Sequence, residues 1–278
     1  MEWFRYNDLQ PCHEVLEMSD TENLVVTESM GDGVLLVTIN RPDQRNAING
    51  AVARAMDAIV SETEVDDSVR VVVLTGAGDK VFCAGADLKE VAAGRIDTLR
   101  TPGGGFAGFV QRKRTKPWIA AVQGFALAGG CEIALACDLI VASRSSVFGL
   151  PEVARGLIAG AGGLFRLPSA IPKKIALELI LTASRLPAER AADLGLVNRL
   201  ADDGAAVEQA IALAREITVN APLPIKACLE IVSKVGEASE DALWKMSREA
   251  MDRIKQSEDA IEGATAFAEK RDPVWKGR

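Results

Sequence analysis

The 278-residue chain has a single histidine, His13, and this scarcity argues against several kinds of active site. Ser-His-Asp and Cys-His mechanisms need an imidazole in the site, and His13 lies in a polar N-terminal stretch. Metal centres built from histidine clusters are excluded for the same reason. The five cysteines are scattered and odd in number, which predicts reduced, buried thiols of a cytoplasmic protein rather than disulfides or a zinc site.

The sequence also lacks long apolar runs and an excess of positive charge. No apolar run approaches the roughly 20 residues of a spanning helix, and the N-terminus lacks the basic start and apolar middle of a signal peptide. The formal net charge of -7 argues against nucleic acids and anionic membrane surfaces as partners. With 48% hydrophobic residues, the chain has the composition of a soluble globular protein with a large core.

Two glycine-rich segments resemble dinucleotide-binding loops but fail the pattern. Gly76-Ala77-Gly78 has Val81 where the third glycine belongs, and the run from Gly160 to Gly163 has Phe165 there. Nicotinamide or flavin binding is therefore disfavoured.

The organisation of the chain predicts an α/β core followed by helices. Residues 1–22 are polar and aperiodic and are interpreted as a leader. Residues 23–200 alternate short apolar strands with helices, and residues 201–278 carry mostly helical spacing. Residues 93–105, rich in glycine and basic residues, are expected to be mobile, and 239–269 shows continuous helical spacing.

Two glutamates twenty positions apart, Glu132 and Glu152, stand in apolar contexts that favour burial. Two carboxyls that share a dry pocket cannot both ionise freely, so one pKa tends to rise and a proton becomes available near neutral pH. The sequence therefore predicts a general acid/base pair.

Small residues in two segments, 82–88 and 124–130, predict close approach of backbone N–H groups to a ligand. Alone, the first indicates a tight turn before a helix capped by Asp87, and the second indicates close packing. Together they favour an oxyanion hole in which Ala84 and Gly129 donate to one oxygen, with Gly129 at a helix N-terminus.

These motifs together resemble the crotonase (enoyl-CoA hydratase/isomerase) superfamily, over about residues 23–278. The matching segments are Asn40–Pro42, Arg45–Ile48, Val69–Gly76, Phe82–Leu88, Gly124–Asp138, Phe148–Gly149 with Pro151–Glu152, and Gly160–Gly163 with Arg166–Leu167. The resemblance implies a spiral of repeated ββα units and a C-terminal helical trimerisation region, so a homotrimer or a hexamer built as a dimer of trimers is expected. One departure is Ala128, which replaces the first glycine of the usual Gly-Gly-Gly.

The resemblance also implies an activity. In hydratases of this family the residue matching Glu132 activates water for attack at Cβ, and the one matching Glu152 delivers a proton to Cα. Ala84 and Gly129 match the donors to the thioester oxygen. The expected reaction is reversible syn addition of water to trans-2-enoyl-CoA, giving 3-hydroxyacyl-CoA. It needs no metal and no cofactor, since CoA is part of the substrate.

Contacts with the acyl-CoA substrate are implied at two places. Around the turn before the predicted helix they fall on Arg45, Ala47, Ala84, Gly85, Ala86 and Asp87. Near the C-terminus, Phe267 and Lys270 match a segment that reaches CoA bound to a neighbouring subunit. The alternative interpretation of the cations Arg45 and Lys270 is that they belong to a solvated helix face.

Three other interpretations remain open. The run from Glu258 to Arg278 is particularly like that of carnitinyl-CoA dehydratases, which favours that enzyme as the nearest alternative. A catalytically idle acyl-CoA-binding member of the fold is opposed by the two costly buried carboxylates. A serine peptidase on a related spiral fold is opposed by the solitary His13.

Overall fold

The computed structural model describes residues 24–278, so the predicted leader lies outside the described residues. Within that range the chain forms twelve strands and ten α-helices. The strands are β1 (Val25–Ser29), β2 (Val34–Ile39), β3 (Val71–Gly76), β4 (Val81–Cys83), β5 (Arg100–Thr101), β6 (Gly105–Phe106), β7 (Trp118–Val122), β8 (Phe125–Leu127), β9 (Leu139–Ser143), β10 (Val147–Gly149), β11 (Arg185–Pro187) and β12 (Arg199–Ala201).

Helices cover the sheets and form most of the last third of the described chain. They are α1 (Gly50–Val65), α2 (Leu88–Ala92), α3 (Gly129–Ala136), α4 (Gly163–Ala170), α5 (Lys173–Thr182), α6 (Ala188–Asp193), α7 (Ala206–Thr218), α8 (Pro222–Val232), α9 (Glu240–Ile254) and α10 (Glu258–Glu269).

Two sheets organise the core. The larger has the strand order β1-β2-β3-β7-β9-β12, and the smaller has the order β11-β10-β8-β4. From β2 onwards the larger sheet is parallel. Every residue of β3 and β7 is buried, as the unbroken apolar runs predict for strands covered on both faces.

Successive turns of the chain place one strand in each sheet, which confirms the predicted spiral. β3 is followed by β4, β7 by β8, and β9 by β10, and in the smaller sheet β4, β8 and β10 run parallel. The carboxyl ends of parallel strands meet at one edge. The segments that follow them, near Ala84, Ala128 and Leu150, therefore come together although they are distant in sequence.

The apolar core lies on both sides of the larger sheet. One cluster fills the space between the two sheets and α1, α3, α5 and α6, and the other lies between the larger sheet and α7. Helix α7 packs on β3, β7 and β9, so helical packing on the core continues past residue 200, where the domain boundary is predicted.

The segment 93–105, which the sequence predicts to be mobile, contains a 3-10 turn and most of the β5–β6 hairpin, which ends at Phe106. Its mobility stays a prediction. The helical spacing over 239–269 is broken, because Ser257 caps a new helix by accepting from the N–H of Ala260.

Asn46 forms hydrogen bonds that hold the segment leading into the smaller sheet in place. Its side chain is buried, its Oδ1 accepts from the N–H of Arg41, and its Nδ2 donates to the carbonyls of Ala77 and Val81 at 2.9 and 2.7 Å. Its φ of +53° lies in the left-handed region, which asparagine tolerates better than most residues.

We expect Asn46→Ala to lower the free energy of unfolding by about 2–4 kcal/mol, because two partly buried carbonyls lose their donors. Urea denaturation measures the change. The matched control is Asn220→Ala, whose exposed side chain bonds only to carbonyls of its own helix, with an expected effect within about 0.5 kcal/mol. Equal effects of the two substitutions would contradict the role of Asn46.

Candidate active site

Glu132 lies in the first turns of α3 and is 3% exposed. Its Oε1 accepts two backbone hydrogen bonds, from Ala161 N at 2.6 Å and from Gly163 N at 2.9 Å. Gly163 is the first residue of α4, so the carboxyl also faces the positive end of a helix. One oxygen is thus fixed by the protein, which leaves the other for chemistry.

Glu152 begins the 3-10 turn that follows β10, and it is half-buried. Its Oε2 is buried without a hydrogen-bond partner in the described part of the chain. Such an orphaned oxygen is costly when ionised, since neither water nor a donor compensates for lost hydration. A protonated carboxyl suits this environment better than a carboxylate.

The two carboxyls have different electrostatic surroundings. Burial raises the pKa of Glu132, but its two backbone donors and nearby cations oppose the rise. Burial also raises the pKa of Glu152; its own backbone N–H opposes the rise, the negative charge of Glu132 adds to it, and Arg155 lowers it slightly. The pair therefore favours a proton on Glu152 and a charge on Glu132.

Backbone donors lie beside this pair, but not all where the sequence predicts. The N–H of Ala84 donates to the carbonyl of Arg45 at 3.1 Å, so Ala84 as an oxyanion donor is a wrong prediction. The strand-like pairing of Ile48 with Ala86 uses the carbonyl of Gly85 and the N–H of Asp87. Within residues 24–278, the N–H of Ala86 makes no hydrogen bond.

Gly129 retains the predicted geometry. As the first residue of α3 it has no intrahelical partner for its N–H. A methyl group on Gly85 would come within 2.8 Å of the Gly129 nitrogen, so the segment that carries Ala86 lies directly against the helix start. The structure thus brings together the N–H groups of Ala86 and Gly129.

Close backbone contacts explain the small residues here. A methyl group on Gly130 would lie 1.9 Å from the carbonyl oxygen of Cys83, so only glycine lets α3 approach β4 this closely. Ala128, at the departure from the glycine triplet, adopts φ +51° and ψ -128°, a conformation that L-residues rarely adopt. The backbone is therefore strained next to Gly129.

Asp87 is held by structural contacts. Its carboxylate accepts from Lys89 N, which caps α2, and from Arg41 Nη2 at 3.0 Å. Arg41 also donates to the carbonyl of Ala47. These contacts occupy the Asp87 side chain, and the predicted substrate contacts of Ala47 and Asp87 stay predictions.

The predicted CoA contacts stay predictions. The Arg45 side chain is exposed, and among the described residues it has no hydrogen bond or ion pair, while its backbone is joined to Ala84. Phe267 is 88% exposed, and Lys270 ends α10 in a left-handed conformation.

Sequence reasoning missed the role of Arg166, although the residue lies in a matching segment. Its Nη1 donates to the carbonyl of Ala161 at 3.1 Å and its Nη2 to that of Val110 at 2.5 Å. Ala161 is one of the two residues whose N–H binds Glu132, and the charge of Arg166 lowers the pKa of Glu132. Arg166 thus positions the loop that holds the carboxyl.

The other reactive groups do not form a competing site. Burial raises the pKa of Cys83 and of Cys131 to about 12, which keeps both as inert thiols. Residues 24–278 contain no cluster of three or more potential metal ligands. In the same range no helix is both long and apolar enough to cross a membrane.

We expect Arg166→Gln to raise the pKa of Glu132, because the substitution removes a nearby positive charge and loosens Ala161. Infrared titration of carboxylate bands in protein labelled with ¹³C-glutamate measures this, with Glu132→Gln identifying the band. Arg166→Lys keeps the charge and should give a smaller rise. Arg190→Gln, on the surface of α6, should change nothing; a similar rise in that control would contradict the assignment.

The sequence and the fold match known proteins over most of the chain. A family model described as enoyl-CoA hydratase/isomerase matches residues 29–278. A carnitinyl-CoA dehydratase from Escherichia coli (strain K12) is 39% identical over 263 residues, covering 93% of this chain and 100% of that protein. One from Proteus mirabilis (strain HI4320) is 39% identical over 250 residues, 88% of this chain and 95% of that one.

Solved structures agree. An enoyl-CoA hydratase from Mycobacterium tuberculosis H37Rv has a TM-score of 0.88 and 49% identity, covering 92% of this chain and 100% of that chain. A carnitinyl-CoA hydratase from Mycobacterium avium has a TM-score of 0.71 and 49% identity, covering 92% and 99%. With the family model spanning nearly all described residues, the chain belongs to the enoyl-CoA hydratase/isomerase family.

Proposed function

We propose that this protein is an enoyl-CoA hydratase that adds water reversibly to trans-2-enoyl-CoA thioesters to give 3-hydroxyacyl-CoA. The observation that carries the proposal is the unequal pair of carboxyls. Glu132 accepts two backbone N–H groups, whereas the buried Oε2 of Glu152 has no donor in the described chain. Hydration needs one base and one acid at the same time, and this asymmetry supplies both.

In the proposed mechanism the thioester oxygen accepts the N–H groups of Gly129 and Ala86. Glu132 takes a proton from water, and the water oxygen forms a bond to Cβ as the Cα–Cβ π-electrons move towards the thioester. Glu152 then gives its proton to Cα. Both groups act from one side of the double bond, which gives syn addition. Glu132 then holds the proton taken from water and Glu152 has lost its own, and transfer of a proton from Glu132 to Glu152 through the product returns both carboxyls to their starting states.

The two backbone donors stabilise the transition state more than the ground state. Negative charge on the thioester oxygen grows as enolate character develops, so fixed N–H groups aimed at it lower the barrier. The dipole of α3 adds to this effect because Gly129 is its first residue. The thioester itself activates the double bond, so we propose that the reaction needs no metal or additional cofactor.

The proposal includes the substrate carrier and the assembly. Exposed Arg45 beside the 84–87 segment suits the phosphates of CoA. Exposed Phe267 and Lys270 at the end of α10 suit CoA bound to a neighbour in a homotrimer or a dimer of trimers. The free thiols of the described chain favour a cytoplasmic enzyme.

A second candidate is carnitinyl-CoA dehydratase, the name of curated relatives at 39% identity. Its substrate, crotonobetainyl-CoA, undergoes the same chemistry with a quaternary ammonium group at the end of the acyl chain. The two carboxyls serve both reactions, so the choice depends on the surroundings of the acyl group.

We expect Glu132→Gln and Glu152→Gln each to slow hydration of crotonyl-CoA by at least ~100-fold, since each removes one partner of the proton transfer. The decrease of the enoyl-thioester absorbance measures the rate. The matched control is Glu178→Gln, an exposed glutamate of α5, which should keep the wild-type rate. A Glu152→Gln enzyme at full speed would disprove the assignment.

The loss of rate must not arise from unfolding. The pKa of Glu152 is raised in the folded state, so its ionisation costs stability as pH rises above the ordinary glutamate range. A neutral amide removes that cost. Thermal denaturation at neutral pH should therefore give Glu152→Gln a Tm no lower than that of the wild type, and the difference should shrink in acid.

We expect crotonyl-CoA to be hydrated far faster than crotonobetainyl-CoA. The exposed guanidinium of Arg100 lies close enough to Glu132 to lower its pKa, and it would repel a cationic acyl end. The ratio of kcat/KM values for the two substrates at matched ionic strength tests this. The opposite preference would favour the second candidate, carnitinyl-CoA dehydratase.

A further inference from the structure

Arg100 lies on the side of the β5–β6 hairpin that faces the catalytic groups. In the hairpin register it stands directly opposite Phe106, and cross-strand partners share one side. The Phe106 ring lies against Gly129, since a methyl group on that glycine would come within 2.5 Å of the ring. The Arg100 side chain therefore starts next to the residue that begins α3.

The far end of the side chain lies on the other side of the site. A methyl group on Gly160 would meet Arg100 Nη2 at 3.6 Å, and the next residue, Ala161, donates its N–H to Glu132. The positive charge is also felt by Glu132, whose pKa it lowers. The guanidinium thus lies near the Gly160–Ala161 segment that holds Glu132.

This guanidinium has no partner in the described chain. Arg95 pairs with Glu90, Arg112 pairs with Asp57, and Arg166 donates to two carbonyls, whereas the Arg100 side chain makes no hydrogen bond or ion pair with residues 24–278. An exposed arginine needs no partner, but one placed beside a catalytic carboxyl changes which acyl groups can bind there.

We infer that Arg100 selects enoyl-CoA substrates whose acyl chain carries an anionic group, such as a carboxylate, beyond Cβ. This inference rests on the proposed function, because Glu132 must act at Cβ. Atoms beyond Cβ then extend past Glu132 towards the guanidinium, which can bind a carboxylate through two parallel hydrogen bonds. The pantetheine arm separates the CoA phosphates from the thioester, so a carboxylate beyond Cβ and the phosphates are distinct anions of the substrate.

The test compares two substrates of equal chain length, trans-glutaconyl-CoA with a terminal carboxylate and neutral trans-2-pentenoyl-CoA. We expect the wild type to prefer glutaconyl-CoA, and Arg100→Gln to lower the ratio of the two kcat/KM values by about 10-fold to 100-fold, the range of one charge-assisted contact. Arg100→Glu should lower it further. The surface control Arg190→Gln should leave the ratio unchanged.

The ratio separates selection from a general effect on Glu132. If Arg100 only keeps Glu132 ionised, Arg100→Gln slows both substrates equally, and the unchanged ratio overturns the inference. Inhibition by free CoA gives a second arm: if Arg100→Gln weakens CoA binding as much as it weakens glutaconyl-CoA, the arginine serves the phosphates and the inference is also overturned.

The result also distinguishes this inference from the proposed function. Hydration of pentenoyl-CoA without an Arg100-dependent preference for glutaconyl-CoA would leave the hydratase intact and remove only the selectivity. If the enzyme hydrated none of the three substrates, glutaconyl-CoA, pentenoyl-CoA and crotonyl-CoA, both the proposed function and this inference would be overturned.

Discussion

The site depends on one carboxyl oxygen, Glu132 Oε1, which accepts the N–H groups of Ala161 and Gly163. Without these donors, two neighbouring buried carboxyls would compete for one proton on nearly equal terms. With them, the charge has a preferred location, and the proton remains on Glu152, whose buried oxygen has no donor in the described chain. The difference between the two carboxyls thus comes from backbone geometry, since the two side chains are chemically identical.

That geometry is a product of the spiral topology. Parallel β4, β8 and β10 end at one edge of the smaller sheet, and each is followed by a segment of the site. The spacing between these segments is set by backbone contacts that exclude even a methyl group, as at Gly130 against Cys83. The strained Ala128 is held within the same contacts.

Sequence patterns predicted the architecture well because apolar periodicity and glycine placement are local signals. The predicted α/β core of alternating strands and helices forms, and Glu132 is buried as expected. Sequence patterns could not predict whether Ala84 or Ala86 offers a free N–H to the substrate, because this depends on which of the two donates to the carbonyl of Arg45. The approach of Arg100 Nη2 to Gly160 brings a short hairpin next to a loop that is distant in sequence, and local sequence patterns cannot predict such an approach.

The electrostatics of the site favour activity at some cost in stability. Two carboxyls whose pKa values are raised by burial destabilise the folded state once they ionise. The positive charge of Arg166 offsets part of this cost, and hydrogen bonds to two carbonyls hold its side chain in place. Arg100 and Arg155 act from the exposed side, and neither has a hydrogen-bond or ion-pair partner in the described chain. Cations left unpaired beside an acidic pair keep affinity for an incoming anion, which fixed Arg166 cannot supply.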